Sequence, residues 1–292
     1  MRSRLGPCKL VAEGCCNHMG DIDLAFQMTE EAKLRGADFI KWQKRNPKLS
    51  VKKEILDGPH PDTRHAFGDT YLEHREALEF SISEHELLKK HADKVDIGYA
   101  ASAWDLESAK EIMHLCDDFI KIPSAANYDL DMIHYLLDNY HGKLHISLGT
   151  LGYQQKQELF VKLVHGFHKI VFYHTTTKYP CDFKDINLKE IKILAEKFNE
   201  VGFSGHHKGL AIDNIAYAYG ASWIERHFTL DRTLKGTDHA ASLEPKGLEI
   251  LARDLKASYL ANTEKRAVDE EELKNAHKLR TPESEKFLEN NP

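Results

Sequence analysis

Residues 201–245 read VGFSGHHKGLAIDNIAYAYGASWIERHFTLDRTLKGTDHAASLEP, and the alternation inside this stretch decides the fold. Val201 to Ser204 has the character of a short strand that stops at Gly205-His206-His207, a helical periodicity runs from Leu210 to Tyr219 and closes at Gly220, and a second apolar run, 221–225, leads to His227. Two strands joined through one helix run parallel, so side chains at their C-terminal ends converge. His206 and His227 stand at those ends, placed to share a divalent metal. A lone histidine is ordinarily a surface or hydrogen-bonded residue; among the 18 in this chain, the matched strand-end positions single these two out. Asp238 and His239 follow in the polar, glycine-containing loop TLKGTDHAAS, and irregular loops of that kind carry function more often than packing.

The same alternation extends upstream. Strand patterns fall at 10–12, 37–40, 97–102, 119–124, 144–147 and 170–174, and helical patterns at 23–34, 71–80, 84–94, 105–116, 130–140, 153–165 and 188–198. About eight βα units in 292 residues predict a single-domain α/β fold, a (β/α)8 TIM barrel over 1–262, followed by a charged helix or tail over 263–292. A doubly wound open sheet is the competing architecture, but its glycine fingerprint is missing, since Gly14 and Gly20 are too far apart for GxGxxG. Residues 45–68, polar and carrying Pro47, Pro59 and Pro61, read as a long irregular loop.

Composition narrows the function classes. Forty Lys plus Arg against 46 Asp plus Glu give a net charge of −6, which argues against a nucleic-acid footprint. Five Cys, with Cys15 and Cys16 adjacent and no CxxC, make neither a disulfide framework nor a zinc ribbon, and a reducing cytoplasm is expected. The apolar run near the N-terminus is broken by Lys9 and Glu13, and no stretch approaches about 20 apolar residues, so neither secretion nor membrane insertion is expected.

In a (β/α)8 barrel, chemistry gathers at the C-terminal ends of the strands. Glu13, Lys41 with Gln43, Ser102, Lys121 with Ser124, Ser147, His174 with Thr177, Ser204 with His206, and His227 lie at or just past those ends. Lys41 and Lys121 each terminate an apolar strand, and an ammonium group there costs desolvation unless an anion meets it. With the serine hydroxyls round the same rim, the mouth suits a phosphate, a carboxylate, or both. A metal at His206 and His227, helped by Asp238, would polarise a carbonyl or activate water, and Glu13 would serve as base or orienter.

Six segments carry a resemblance: AEGCCNHMGD at 12–21, GADFIKWQK at 36–44, FIKIPSA at 119–125, HTTTKYP at 174–180, VGFSGHHKG at 201–209 and IERHFTLDRTLKGTDHAASLEP at 224–245. Together they resemble the N-acetylneuraminate (sialic acid) synthase family over nearly the whole chain. The resemblance implies a (β/α)8 enzyme that condenses phosphoenolpyruvate with the open-chain aldehyde of an N-acetylhexosamine, typically N-acetylmannosamine, to give a nonulosonic acid and phosphate. It further implies His206 and His227 as ligands of Mn²⁺, with Mg²⁺ or Co²⁺ as alternatives, and Lys41, Ser102, Lys121, Ser124, Ser147 and Ser204 as the phosphoenolpyruvate cradle. Thr177 stands where Asn or Ser is more usual, Glu13 resembles the glutamate near the reacting carbons, Gln43 and Tyr179 resemble lining residues, and Asp238 a sugar contact. A homodimer is implied as well.

The chain departs from the family pattern in three places. Ser204-Gly205-His206 replaces Ser-Asp-His, Pro123-Ser124-Ala125-Ala126 replaces Gly-Ser-Gly-Glu, and the sequence ends without the C-terminal antifreeze-like domain that most members carry. Two alternatives follow: a phosphorylated acceptor, met by a basic cluster at Arg45, Lys48, Lys52 and Lys53, or a catalytically silent barrel that binds a metal or sugar acid.

Overall fold

The computed structural model describes residues 6–265 and 267–289. Eight strands close into a parallel barrel in sequence order: β1 (Lys9–Cys15), β2 (Phe39–Lys44), β3 (Gly98–Ala103), β4 (Phe119–Ile122), β5 (Lys143–Ser147), β6 (Ile170–Thr175), β7 (Val201–Gly205) and β8 (Trp223–His227), with β8 pairing back onto β1. The predicted (β/α)8 architecture is therefore the observed one. The barrel forms one compact unit ending at Tyr259. The described residues from Leu260 to Glu289 belong to a second unit, which contains the helices Glu270–Leu279 and Pro282–Glu289. No helix among the described residues is long and apolar enough to cross a membrane.

Period-two alternation along each strand divides the interior into two shells. One set of side chains, including Leu10, Ile40, Ile120, Ile146, Phe172 and Ile224, packs outward under the helices. The other set, Val11, Phe39, Ala100, Phe119, Val171, Tyr173 and Trp223, fills the bottom of the barrel lumen. His145 completes this floor: its ring stacks on Phe119 at 3.9 Å and its Nδ1 lies 3.0 Å from the Tyr173 hydroxyl. Burial, reinforced by nearby Lys121, holds the His145 imidazole well below its ordinary pKa, so it is a neutral filler. Two residues above each floor position the inward side chain turns polar: Val11 gives way to Glu13, Phe39 to Lys41, Phe119 to Lys121 and Trp223 to Glu225. The site is thus stacked directly on an apolar plug.

Caps follow the sequence signals where these were strong. Asp21 Oδ1 accepts from the backbone N–H of Asp23 and Leu24 ahead of the helix Ile22–Leu34, and Ser81 with Glu84 forms a capping box ahead of Ile82–Lys94. Several helical segments depart from the sequence reading, among them the helix expected over 105–116, which ends at Ile112. The helix expected over 71–80 stops at Glu76. The loop expected over 45–68 contains single turns, Pro47–Ser50 and Lys53–Leu56, the first capped by Asn46 with Pro47 at its first position. A 17-residue helix, Pro245–Ala261, was not anticipated, although its buried Leu248, Leu251 and Leu255 repeat at helical spacing.

At the end of β1 the ladder is irregular. Glu13 pairs with Lys41 but Cys15 pairs with the very next residue, Trp42, which marks a β-bulge at Gly14. A Cβ on Gly14 would lie 2.4 Å from the Trp42 ring, so only glycine admits the indole here, and Cys15 takes a φ of 41°.

Candidate active site

The thirteen side chains that the resemblance assigns to the site line one cavity of about 250 Å³ at the C-terminal mouth of the barrel, whereas His174, also expected at a strand end, is not among its lining residues and has its Nε2 2.5 Å from the carbonyl of Ile186. Glu225, Arg45, Arg75 and Trp104 join them there.

The deepest layer is a buried charge network. Lys41 Nζ pairs with Glu13 and donates to Ser102 Oγ at 2.8 Å; Lys121 Nζ reaches Glu225 Oε2 at 2.8 Å, with Lys41 3.7 Å from the same oxygen. Ser204 Oγ donates to the other oxygen of Glu225 at 3.0 Å, and Lys121 Nζ sits 3.6 Å above the Tyr173 ring. The anions that offset the two lysines are therefore the protein's own carboxylates, and Glu225 is the one that the sequence reading passed over. Burial would raise the Glu225 carboxyl, but the ammonium groups of Lys121 and Lys41 outweigh it and hold it well below the usual carboxylate range. Burial likewise pulls Lys41 down, while Glu13 and Glu225 carry it back above its ordinary value. Lys121 is held at about 8, because burial and the repulsion of Lys41 exceed what Glu225 returns.

Hydroxyls surround this layer. Gly149 permits the tightest approach: a Cβ there would come within 2.4 Å of Ser124 Oγ and 2.6 Å of Thr177 Oγ1, so glycine lets these two hydroxyls close over the same spot. Asn127 fixes the local backbone by donating to the carbonyls of Ser147 and Gly149 at 3.0 and 2.9 Å. Gln43 Nε2 donates to Glu13 Oε1 at 3.1 Å and its carbonyl accepts from Arg45.

The histidines occupy the rim of β7 and β8. Their rings lie 5.4 Å apart, with Tyr179 packed 4.0 Å from His206. His206 Nδ1 stands 2.8 Å from the carbonyl of Thr176. A carbonyl only accepts, so Nδ1 carries the proton and Nε2 keeps its lone pair for a metal. Burial and the neighbouring His227 hold His206 at about 3, a neutral ligand at physiological pH. His227 Nδ1 is buried with no hydrogen-bond partner among the described residues. Close to it, Cys15, His227 and Asp238 bring one donor atom each within 4.8 Å of one another. Gly205 leaves no acidic group on β7, but Asp238 supplies one from the following loop, and burial that would raise its carboxyl is outweighed by His227, which lowers it.

His207 is not part of the mouth. It is fully enclosed behind it, where Arg226 NH2 donates to its carbonyl at 2.7 Å and Arg226 NH1 contacts Asp213 Oδ2 at 2.5 Å. This buried pair clamps the end of β7 and so fixes where His206 projects.

The basic cluster drawn from the sequence does not form. Lys48 is exposed and pairs with Glu76 at 3.1 Å, and Lys52 and Lys53 are exposed. Arg45 alone lines the cavity, tied to Glu79 at 2.6 Å and stacked 4.0 Å from the Trp104 ring. A different cation joins it: Arg75, on the helix Tyr71–Glu76, donates through Nε and NH2 to the Tyr71 hydroxyl at 3.1 and 3.0 Å and makes no ion pair among the described residues.

Residues 28–267 match the model of the NeuB family. The human N-acetylneuraminate-9-phosphate synthase is 35% identical over 253 residues, covering 86% of this chain and 70% of that protein. An N,N'-diacetyllegionaminic acid synthase of Campylobacter jejuni is 33% identical over 251 residues, covering 85% and 75% respectively. Among solved structures, the N-acetylneuraminic acid (sialic acid) synthetase of Leptospira borgpetersenii superposes with a TM-score of 0.78 at 28% identity, covering 94% of this chain and 93% of that one.

Proposed function

The chain belongs to the NeuB family, and from that membership we propose that it condenses phosphoenolpyruvate with the open-chain aldehyde of an N-acetylhexosamine to give a nonulosonic acid and phosphate. The observation that carries this reading is the layering of the cavity: two buried lysines under a ring of hydroxyls, with a pair of histidines at the rim.

Lys41 and Lys121 take the carboxylate and phosphate of phosphoenolpyruvate. Each still has N–H donors beyond those given to Glu13 and Glu225, and the hydroxyls of Ser102, Ser124, Ser147 and Thr177 close on the remaining oxygens, while Ser204 holds Glu225 in place beneath them. Because Glu225 and Glu13 fix both ammonium groups before binding, little reorganisation is needed when the anion arrives. Tyr179 and Asp238 hold the acceptor above that layer. His206 and His227 hold a divalent ion, Mn²⁺ in this reading, with Asp238 as an oxygen donor. The free Nε2 of His206 and the unpartnered Nδ1 of His227 support such a site. When bound, the ion supplies Lewis acidity toward the acceptor aldehyde. The enol carbon bonds to that aldehyde carbon, water adds to the cationic carbon left behind, and the phosphate departs as the adduct collapses to the keto acid. Glu13, oriented by Gln43 and Lys41, takes the proton of the adding water.

Phosphate release from phosphoenolpyruvate, measured with and without Mn²⁺ and each of a panel of acceptors, tests the reading. Release that requires all three components supports it. Release indifferent to the sugar overturns it.

Arg75 favours a second reading of the acceptor. A guanidinium in the cavity wall whose polar contacts are to a phenol, without a carboxylate, suits an anionic group on the distal end of the sugar. A phosphorylated acceptor supplies one, and the 35% identical human relative is a 9-phosphate synthase.

A further inference from the structure

We propose that Cys15 is a ligand of the metal, so that a thiolate, His227 and Asp238 form the donor group that closes on the ion. The inference rests on the metal dependence proposed above and extends it to a residue of the β1 bulge.

The placement is specific. Cys15 is fully buried at the end of β1, next to the strand that carries His227, and Glu13 and His227 are direct ladder partners across that edge. The bulge at Gly14 and the left-handed φ of 41° at Cys15 bring the thiol within 4.8 Å of both a His227 ring nitrogen and an Asp238 carboxylate oxygen. Donors bound at roughly 2.0–2.3 Å from one ion stand about 3–4.5 Å apart, so closure of the group needs only a small contraction. A second observation points to a ligand independently: His227 Nδ1 is buried and has no hydrogen-bond partner among the described residues. The neighbouring thiol plays another part, since Cys16 Sγ donates to Asp238 Oδ2 at 3.8 Å and orients that carboxylate.

Coordination converts the thiol to thiolate, and its proton leaves to solvent as the metal binds. A donor set of one soft sulfur with imidazole and carboxylate favours Zn²⁺, Fe²⁺ or Co²⁺ over Mg²⁺.

Titration of the metal-free protein with Co²⁺, followed by absorption, tests the assignment without any turnover. Wild type and Cys8→Ala, whose thiol lies at the opposite end of β1, are expected to show an intense near-ultraviolet thiolate-to-cobalt band that saturates at one equivalent, and Cys15→Ser is expected to lack it. Zn²⁺ affinity is expected to fall about tenfold or more in Cys15→Ser. X-ray absorption at the cobalt edge of the wild-type complex reads a sulfur neighbour at about 2.3 Å, whatever becomes of the variants. Stoichiometric Co²⁺ binding with no band and no sulfur neighbour overturns the Cys15 assignment and leaves the metal-dependent synthase standing. A band that survives Cys15→Ser overturns it likewise. Failure to bind Co²⁺ at all overturns both.

Discussion

Lys41 and Lys121, on β2 and β4, share a single carboxylate oxygen: Oε2 of Glu225 lies 3.7 Å from one ammonium and 2.8 Å from the other. Replacing that carboxylate by an amide in Glu225→Gln leaves two buried cations with only Glu13 between them. Breaking a buried pair costs about 3–5 kcal/mol. For a domain of this size Tm should drop by roughly 6–20 °C, read by thermal denaturation. A drop within a degree of wild type would mean that the network contributes nothing to folding.

The depressed pKa of Lys121, about 8, gives the reaction an alkaline limit. The ammonium is present below that pH and lost as pH rises through it, so the KM for phosphoenolpyruvate should climb above pH 8 by up to about tenfold per unit, with kcat moving less. Lys121→Arg, which stays charged, should flatten the profile. An unchanged profile in that variant would assign the limit to another group.

His227→Ala should lower phosphate release by about 10²–10⁴-fold, the equivalent of several kcal/mol of lost electrophilic assistance, while far-ultraviolet circular dichroism stays unchanged. Full activity in this variant would remove His227 from the chemistry.

Arg75→Ala separates the two acceptor readings. If the acceptor is phosphorylated, its kcat/KM should fall about 30-fold or more, while that of the free sugar changes by less than about threefold. Equal effects on both sugars would reduce Arg75 to a support for Tyr71.

Much of this site was legible because a barrel strand alternates strictly and ends at the mouth. Lys41, Lys121, His206 and His227 could be found by asking which polar residue closes each apolar run. Glu225 escaped because it sits inside its run rather than at the end, yet the inward parity of Trp223, Glu225 and His227 was a usable signal. Cys15 stands two residues beyond Glu13, but the bulge at Gly14 breaks the alternation there, and a reading of cysteines by disulfide and zinc-ribbon spacing passes over such a thiol. Arg75 had no local signature. It reaches the cavity from a short helix in the excursion between β2 and β3, and only tertiary closure brings it there. The single turns at 47–50 and 53–56 were lost for a related reason, since one turn is too short to show a period.

The aromatic floor formed by Phe39, Phe119, Tyr173 and Trp223 has a kinetic meaning as well as a structural one. It makes the cavity a blind well with one opening, so molecules must queue. On the substrate placement proposed above, the molecule that rests on the lysines would have to arrive before the one that rests beside the histidines. Initial rates measured against both substrates would then follow an ordered pattern set by the packing of the floor, beneath the residues that bind.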